Sequence, residues 1–219
     1  MKVVQGRHQT LLCWGVNVHT PFISGVVLAG GESRRMGQNK ALLTTDKHSL
    51  LAQQIETLHQ SVCTNVLVAS GSHHYPGIDN QIADCVAAKG PIAGIMSVIR
   101  NTPCVDGWVF LPVDMPNIHA QHINLLIQAG VNKRHIIHFA DEHFPLYIPY
   151  SGSLYDILLE QTLSGDWSLR YLLTQLPCIQ LNALDERSRL NTNTPEQWQV
   201  YQNSLTLALD SEETAYAIM

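Results

Sequence analysis

The sequence lacks a long hydrophobic run, an excess of basic charge and any closely spaced pair of cysteines. No stretch approaches the roughly 20 consecutive apolar residues that a transmembrane helix requires, so we expect no membrane partner. Thirteen basic residues against eighteen acidic ones give a net charge of −5, which argues against a nucleic-acid partner. The five cysteines are scattered and odd in number, which disfavours disulfides and zinc sites. We interpret them as reduced core residues of a cytoplasmic protein.

Histidine is frequent, but it also lacks the spacing of a metal site. The eleven histidines include the pairs His119/His122 and His135/His138, and we find no third ligand at a convincing distance along the chain. We therefore interpret these histidines as surface or helix-end residues.

The composition is typical of a globular protein with a sizeable core, since 45% of the 219 residues are apolar. There is no internal repeat and no low-complexity segment, so we predict one principal domain over residues 23–203. Polar residues interrupt the first 22 positions, so we do not interpret that extension as a signal peptide. We expect it to be a loose tail or the result of a start codon upstream of the domain proper. Residues 204–219 form a C-terminal tail for which we expect a helix or a frayed end.

Short apolar runs alternate with amphipathic segments from Ile23 onward. The runs at 23–29, 65–69 and 107–111 are apolar on both faces, which is typical of buried strands in a parallel sheet. Weaker strands are predicted over 81–86, 136–140, 146–150 and 179–181, and Pro149 favours an edge strand or a bulge for the third of these. Helical spacing of apolar residues predicts helices over 50–58, 92–99, 122–129, 155–163 and 169–176.

The last helix is predicted to begin at Pro195, with Thr194 as its N-cap. Strands and helices thus alternate along most of the chain. We therefore predict an α/β fold of three layers, in which a mostly parallel sheet lies between two layers of helices.

The first buried strand leads into a loop that combines glycines with cations. Gly30 and Gly31 would let backbone N–H groups approach an anion, while Arg34, Arg35 and Lys40 place three positive charges within seven residues. The loop matches neither the Walker A pattern nor G-x-G-x-x-G. Its composition fits a solvated basic turn equally well. Its position after a buried strand favours binding of a polyanion such as a nucleoside triphosphate.

A single aspartate follows the strand at 107–111. Asp114 lies between Pro112 and Pro116, which would hold its carboxylate rigidly. Mg²⁺ usually takes one or two carboxylates together with phosphate oxygens and water, so Asp114 is a candidate metal ligand. Taken alone, Asp114 is better explained as the cap of the helix that follows. Asp84, after the third predicted strand, is either a second carboxylate of the site or a strand-end turn residue.

Together these segments resemble the molybdenum cofactor guanylyltransferase (MobA) family. The loop reads LAGG at 28–31, continues with Ser33, RMG at 35–37 and Lys40, and so is similar to the signature LAGG-x-S-x-R-M-G-x-x-K. GPIAG at 90–94, PVDMP at 112–116 and NTNTPE at 191–196 resemble further elements of the family in the same order. Other nucleotidyltransferases share the first signature in looser form. The doubled glycine and NTNTPE narrow the resemblance to this family.

The resemblance implies a nucleotidyltransferase (Rossmann-like) fold. It also implies transfer of GMP from GTP to molybdopterin, with release of pyrophosphate and formation of the guanine dinucleotide cofactor. Mg²⁺ would bind to Asp114, and Asn191 and Asn193 would face the pterin. The residues that it implies in GTP binding are Leu28, Ala29, Gly30, Gly31, Lys40, Asp84 and Asp114. Molybdoenzymes or cofactor-delivery proteins would receive the product. The chain departs from the family at Asn39, where members often carry aspartate, and at Ala69, where some members carry a ribose-facing asparagine.

Such a transfer needs no general base. The attacking phosphate monoester has a second pKa of about 6, so it is already largely a dianion at neutral pH. The barrier lies in bringing this dianion to the α-phosphate, which calls for charge neutralisation and alignment. We expect Arg35, Lys40 and Mg²⁺ on Asp114 to supply both. Two alternatives stay open: another small-molecule nucleotidyltransferase, such as a molybdopterin cytidylyltransferase, and a non-catalytic cofactor-binding protein.

Overall fold

The computed structural model describes residues 11–13, 16–18, 20–45, 48–86 and 89–217. The N-terminal extension contains two short antiparallel strands, β1 (Leu11–Cys13) and β2 (Val16–Val18), with Cys13 paired to Val16. Each of these two strands satisfies backbone N–H and C=O groups of the other. The first ten residues of the predicted extension lie outside the described part of the chain.

The predicted apolar runs assemble into one mixed sheet. In chain order its strands are β3 (Ile23–Leu28), β4 (Asn65–Gly71), β5 (Gln81–Ala83), β6 (Gly107–Pro112), β7 (Ile136–Phe139), β8 (Leu146–Pro149) and β9 (Cys178–Leu181). Across the described sheet of seven strands the order is β5-β4-β3-β6-β8-β7-β9. Only β8 runs antiparallel to its neighbours among these strands, so the prediction of a mostly parallel sheet is confirmed.

Strand β8 lies inside the sheet, between β6 and β7, so the expectation of an edge strand or a bulge was wrong. Pro149 is the last residue of β8 and lies opposite Gly107. A proline cannot donate to the ladder, but at the end of a strand that loss removes no hydrogen bond from the middle of the sheet.

Helices cover both faces of the sheet. α1 (Leu50–His59), α3 (Ala120–Lys133) and α6 (Pro195–Ala217) contribute to one apolar core. α2 (Pro91–Asn101), α4 (Leu154–Leu163) and α5 (Leu169–Gln175) contribute to the other. Because successive side chains of a strand point to opposite faces, β3 places Val27 in the first core and Val26 in the second. The predicted arrangement of three layers is confirmed.

Helix α6 begins where the sequence predicts. The Thr194 hydroxyl accepts a hydrogen bond from the backbone N–H of Gln197 (3.3 Å), and Pro195 takes the first helical position. The helix continues to Ala217, so the domain boundary predicted at residue 203 falls within a helix. Among the helices described, none is both long and apolar enough to cross a bilayer.

The cysteines whose side chains are described are free thiols, but they are not all core residues. Cys63 and Cys178 are partly buried, whereas Cys85 and Cys104 are exposed. The prediction of core burial was wrong for the exposed pair, because both follow the end of an element and enter a connecting segment.

Candidate active site

A cavity of about 750 Å³ opens at the carboxyl ends of the central parallel strands. Leu28 lies opposite both Ala69 and Pro112 in the sheet, so β3, β4 and β6 end at the same level. Every candidate residue of the sequence lines this cavity: Leu28, Ala29, Gly30, Gly31, Arg35, Lys40, Asp84, Asp114, Asn191 and Asn193. Segments separated by more than 150 positions along the chain are therefore brought to one place.

The loop after β3 (residues 29–39, here the glycine–arginine loop) has two glycines near its start, and their surroundings differ. A Cβ atom on Gly30 would lie 2.7 Å from the Cα and the N of Gly71, a contact that no side chain can make. Gly71 itself has a φ of +63°, which favours glycine. A Cβ on Gly31 would have no described atom within 4 Å. Gly30 thus allows the loop to pass against β4, and Gly31 leaves room beside the cavity.

The rest of the glycine–arginine loop folds back on itself. The Ser33 carbonyl accepts from the N–H of Met36 (2.9 Å), and the Ser33 hydroxyl accepts from the N–H of Lys40 (3.1 Å). Met36 is buried and anchors the loop in the core. Arg34 donates to Glu32 at the surface, an exposed pair of little energetic weight. Arg35 is exposed at the cavity wall. The loop is therefore an ordered structure with its cations at the cavity.

Lys40 joins two further segments of the site. It begins a short 3-10 helix (Lys40–Leu42), and its Nζ lies 3.1 Å from Asp114 Oδ2 and also donates to Asn193 Oδ1. The Lys40 and Asp114 side chains are only 13% and 22% exposed, so solvent screens this pair less than a surface pair. The carboxylate and the amide oxygen around this ammonium are the hard donors that Mg²⁺ prefers, so the residues fit such an ion.

Asp114 does not cap the helix that follows it, which corrects the alternative interpretation of this residue. α3 begins only at Ala120, and His119 is its N-cap. The Asp114 carboxylate instead contacts Lys40 in the cavity.

The backbone around Asp114 is held by residues whose supporting role the sequence did not reveal. Thr192 is fully buried, and its N–H donates to the carbonyl of Asp114 (2.9 Å). The Gln54 amide donates to the carbonyl of Met115 (2.9 Å), and the Gln53 amide donates to that of Pro116 (2.7 Å). Gln54 is buried on the apolar face of α1, and a polar residue at such a position is the one sequence signal that could have indicated its role.

Asp84 brings an unpartnered carboxylate oxygen to the cavity. Its backbone N–H donates to the carbonyl of Gly71 (3.0 Å), but Oδ1 is buried and has no hydrogen-bond partner among the described residues. Burial raises the pKa of this carboxyl above its ordinary value. The arrangement favours a ligand that donates an N–H or O–H to Asp84.

We expect Asp84→Asn to stabilise the protein without ligand at pH 7.5, raising Tm by about 2 °C. The folded-state pKa of Asp84 is raised, so its ionised carboxylate weakens the folded state above that pKa, and protonation removes the penalty as the pH falls. The difference in Tm between variant and wild type should therefore shrink at pH 4. Thermal unfolding at both pH values measures this effect. A variant that is less stable at pH 7.5 would contradict it.

The connection between β7 and β8 also reaches the cavity, through Asp141, Glu142 and His143, which the sequence did not single out.

His138 precedes this connection and is buried, with Nδ1 2.8 Å from the carbonyl oxygens of Phe139 and Glu142. Its interpretation as a surface or helix-end residue was wrong, because its side chain lies inside the fold, where Nδ1 contacts these two carbonyls. No group of three or more metal-ligating side chains occurs in the part of the chain that is described.

Comparisons with known proteins agree with this architecture. The family model of the MobA-like NTP transferase domain matches residues 25–179 of this chain. A molybdenum cofactor guanylyltransferase of Xanthomonas euvesicatoria is 35% identical over 179 residues, which cover 80% of this chain and 92% of that protein. Molybdopterin-guanine dinucleotide biosynthesis protein A of Archaeoglobus fulgidus aligns with a TM-score of 0.68 and 21% identity, over 84% of this chain and 98% of its own.

A manganese complex of a Mycobacterium tuberculosis protein aligns with a TM-score of 0.55 and 19% identity, over 84% of this chain and all of its own. The two structural matches confirm the predicted fold.

Proposed function

Because this chain belongs to the MobA-like NTP transferase family, we propose that it transfers GMP from GTP to molybdopterin, releasing pyrophosphate and forming the guanine dinucleotide cofactor. The observation that carries the proposal is the convergence of Lys40, Asp114 and Asn193 beside the glycine–arginine loop, in one cavity at the carboxyl edge of the sheet. This arrangement places cations, a carboxylate and open backbone together, as phosphoryl-group chemistry requires.

The triphosphate of GTP would lie against the glycine–arginine loop. The backbone at Gly31 has open space beside it, so its N–H can approach phosphate oxygens. The amino end of α2 also lines the cavity through Gly90, Pro91 and Gly94, and the positive end of a helix dipole favours an anion. Asp84 would accept a hydrogen bond from the nucleoside part. We propose Leu28, Ala29 and Gly30 as the remaining wall of the nucleotide site.

We propose that the Asp114 carboxylate, with the Asn193 amide oxygen beside it, holds Mg²⁺. A bound divalent cation neutralises phosphate charge and aligns the phosphate oxygens. Lys40 already reaches the same carboxylate, so its ammonium lies close enough to neutralise phosphate oxygens bound beside Asp114. Arg35 adds a second cation at the cavity wall.

The chemical step then requires alignment and charge, not proton removal. An oxygen of the molybdopterin phosphate forms a bond to the α-phosphorus of GTP, and the bond from that phosphorus to the bridging oxygen of the β-phosphate breaks. The electron pair of the broken bond leaves with pyrophosphate. Lys40 and Arg35 lower the repulsion between the two anions as they meet.

The pterin would enter from the side of Asn191 and Asn193. Both line the cavity, and Thr192 between them fixes their backbone to Asp114. The Asn191 amide donates to the carbonyl of Arg189 (3.2 Å), which orients its side chain. Molybdoenzymes or cofactor-delivery proteins would take up the product.

A nucleotide comparison tests the proposal. We expect GTP with Mg²⁺ to raise Tm more than CTP, UTP or ATP, and we expect addition of molybdopterin to release one pyrophosphate for each dinucleotide formed. A clear preference for CTP would indicate a cytidylyltransferase instead. Binding of GTP without release of pyrophosphate would indicate a cofactor-binding protein.

A further inference from the structure

Tyr75 contacts both ends of the glycine–arginine loop although it belongs to none of the sequence motifs. It lies in the connection between β4 and β5 and is 2% exposed. Its hydroxyl donates to the carbonyl of Ala29 (2.7 Å) and accepts from the side-chain amide of Asn39 (3.3 Å). Ala29 begins the loop, Asn39 ends it, and both line the cavity. The Tyr75 hydroxyl therefore connects the first residue of the loop to its last residue.

Tyr75 is itself attached to the sheet. Its backbone N–H donates to Gln81 Oε1 (3.0 Å), and Gln81 Nε2 donates to the carbonyls of Tyr75 (3.1 Å) and Ile78 (2.8 Å). Gln81 is the first residue of β5. The hydroxyl is thus supported by the edge of the sheet and does not depend on the loop for its position.

Asn39 connects this bridge to Lys40. Its Oδ1 accepts from the N–H of Ala41 (3.0 Å) and so caps the short helix that starts with Lys40, while its amide nitrogen donates to Tyr75. An aspartate at this position could form the cap, but a carboxylate has no N–H to donate. Asparagine is therefore the residue that allows the hydroxyl to keep donating to Ala29.

We propose that Tyr75 is a positioning residue for triphosphate binding, whose hydroxyl holds the backbone of the glycine–arginine loop and Lys40 at a fixed separation before the ligand arrives. This role of Tyr75 rests on the proposed function only in that the bound triphosphate is taken to be GTP. A preorganised loop loses less freedom on binding, so the hydroxyl contributes to affinity without touching the nucleotide.

The test starts with Tyr75→Phe, which removes only the hydroxyl. We expect KM for GTP and the calorimetric Kd of GTP with Mg²⁺ to rise about fivefold, the size expected for a lost hydrogen bond, and kcat to change by less than about twofold. The matched control is Thr102→Val. The Thr102 hydroxyl also donates to a carbonyl, that of Val98 (2.7 Å), and accepts an N–H, that of Trp108 (2.8 Å), but it precedes β6 at the opposite end of the sheet.

A second variant tests whether Tyr75 acts through Asn39. Asn39→Ser keeps a side-chain oxygen that can cap the short helix at Lys40, loses the amide donor to Tyr75 and adds no charge beside the triphosphate. It should weaken GTP binding about threefold in the wild type and cause no further loss in Tyr75→Phe. Additive losses would overturn the proposal, as would an equal loss of affinity in Thr102→Val.

Amide hydrogen exchange without ligand separates this proposal from the proposed function. Tyr75→Phe should speed exchange over residues 30–40 about fivefold, since one stabilising contact of the folded loop is removed, and Thr102→Val should leave it unchanged. If the wild type makes no guanine dinucleotide, the proposed function fails, while faster exchange still supports the role of Tyr75. Unchanged exchange in Tyr75→Phe overturns that role whatever the enzyme transfers.

Discussion

Replacing Asp114 with alanine should lower the rate of GMP transfer by about 10³-fold while the protein stays folded, the size expected when a key electrostatic group is removed. The carboxylate is the proposed ligand of Mg²⁺ and the partner of Lys40, and the backbone of Asp114 remains bonded to Thr192 whatever its side chain is. Pyrophosphate release with saturating GTP, molybdopterin and Mg²⁺ measures the rate. Thermal unfolding measures the fold.

Asp79→Ala is the control for this experiment, because Asp79 is exposed and does not line the cavity. It should keep the wild-type rate and the wild-type dependence on Mg²⁺. Should Asp114→Ala retain full Mg²⁺-dependent turnover, the assignment of the metal to this carboxylate would be wrong.

Replacing Gly30 with alanine should reduce the free energy of unfolding by about 2–3 kcal/mol and abolish tight binding of GTP. The added Cβ would lie 2.7 Å from the backbone of Gly71, and neither segment has a flexible side chain that could move away. The loop must therefore shift from β4, which displaces its N–H groups from the cavity. Chemical denaturation and calorimetric titration with GTP measure the two effects.

Gly31→Ala provides the neighbouring comparison. Its Cβ would enter open space, so the free energy of unfolding should stay within about 0.5 kcal/mol of the wild type. If GTP binding is weaker in this variant, the cause would be that the added methyl group hinders the approach of GTP to the backbone at Gly31. Equal stability of the two alanine variants would contradict the packing role of Gly30.

The histidines and cysteines show where local patterns mislead. From the sequence, the pair His135/His138 was interpreted as surface or helix-end residues. His138 instead lies inside the fold, where its Nδ1 contacts the carbonyls of Phe139 and Glu142. Cys85 and Cys104 follow apolar runs, yet both lie in exposed connections. Burial depends on what packs over a residue, and its immediate neighbours in the chain do not contain that information.

The residues that hold the backbone of the site in place were also not recognised from the sequence. Tyr75 reaches Ala29 across 46 positions, Gln54 reaches Met115 across 61, and Thr192 reaches Asp114 across 78. Each is an ordinary polar residue whose importance comes from one long-range hydrogen bond. Apart from the polar Gln54 on the apolar face of α1, a single sequence offers no periodicity or spacing from which such residues could be recognised.

By itself, the sequence determined most of the elements, the layered fold and the residues that we propose for the chemistry. Apolar runs specify buried strands, helical spacing specifies the covering helices, and glycines, cations and Asp114 follow strands whose carboxyl ends must meet in a parallel sheet. Only the tertiary structure decided that Asp114 faces Lys40 and Asn193, that Gly30 rests on Gly71, and that Tyr75 holds the loop. Local preferences act over a few residues, whereas these contacts exist only once the packed sheet has brought distant segments within hydrogen-bond distance.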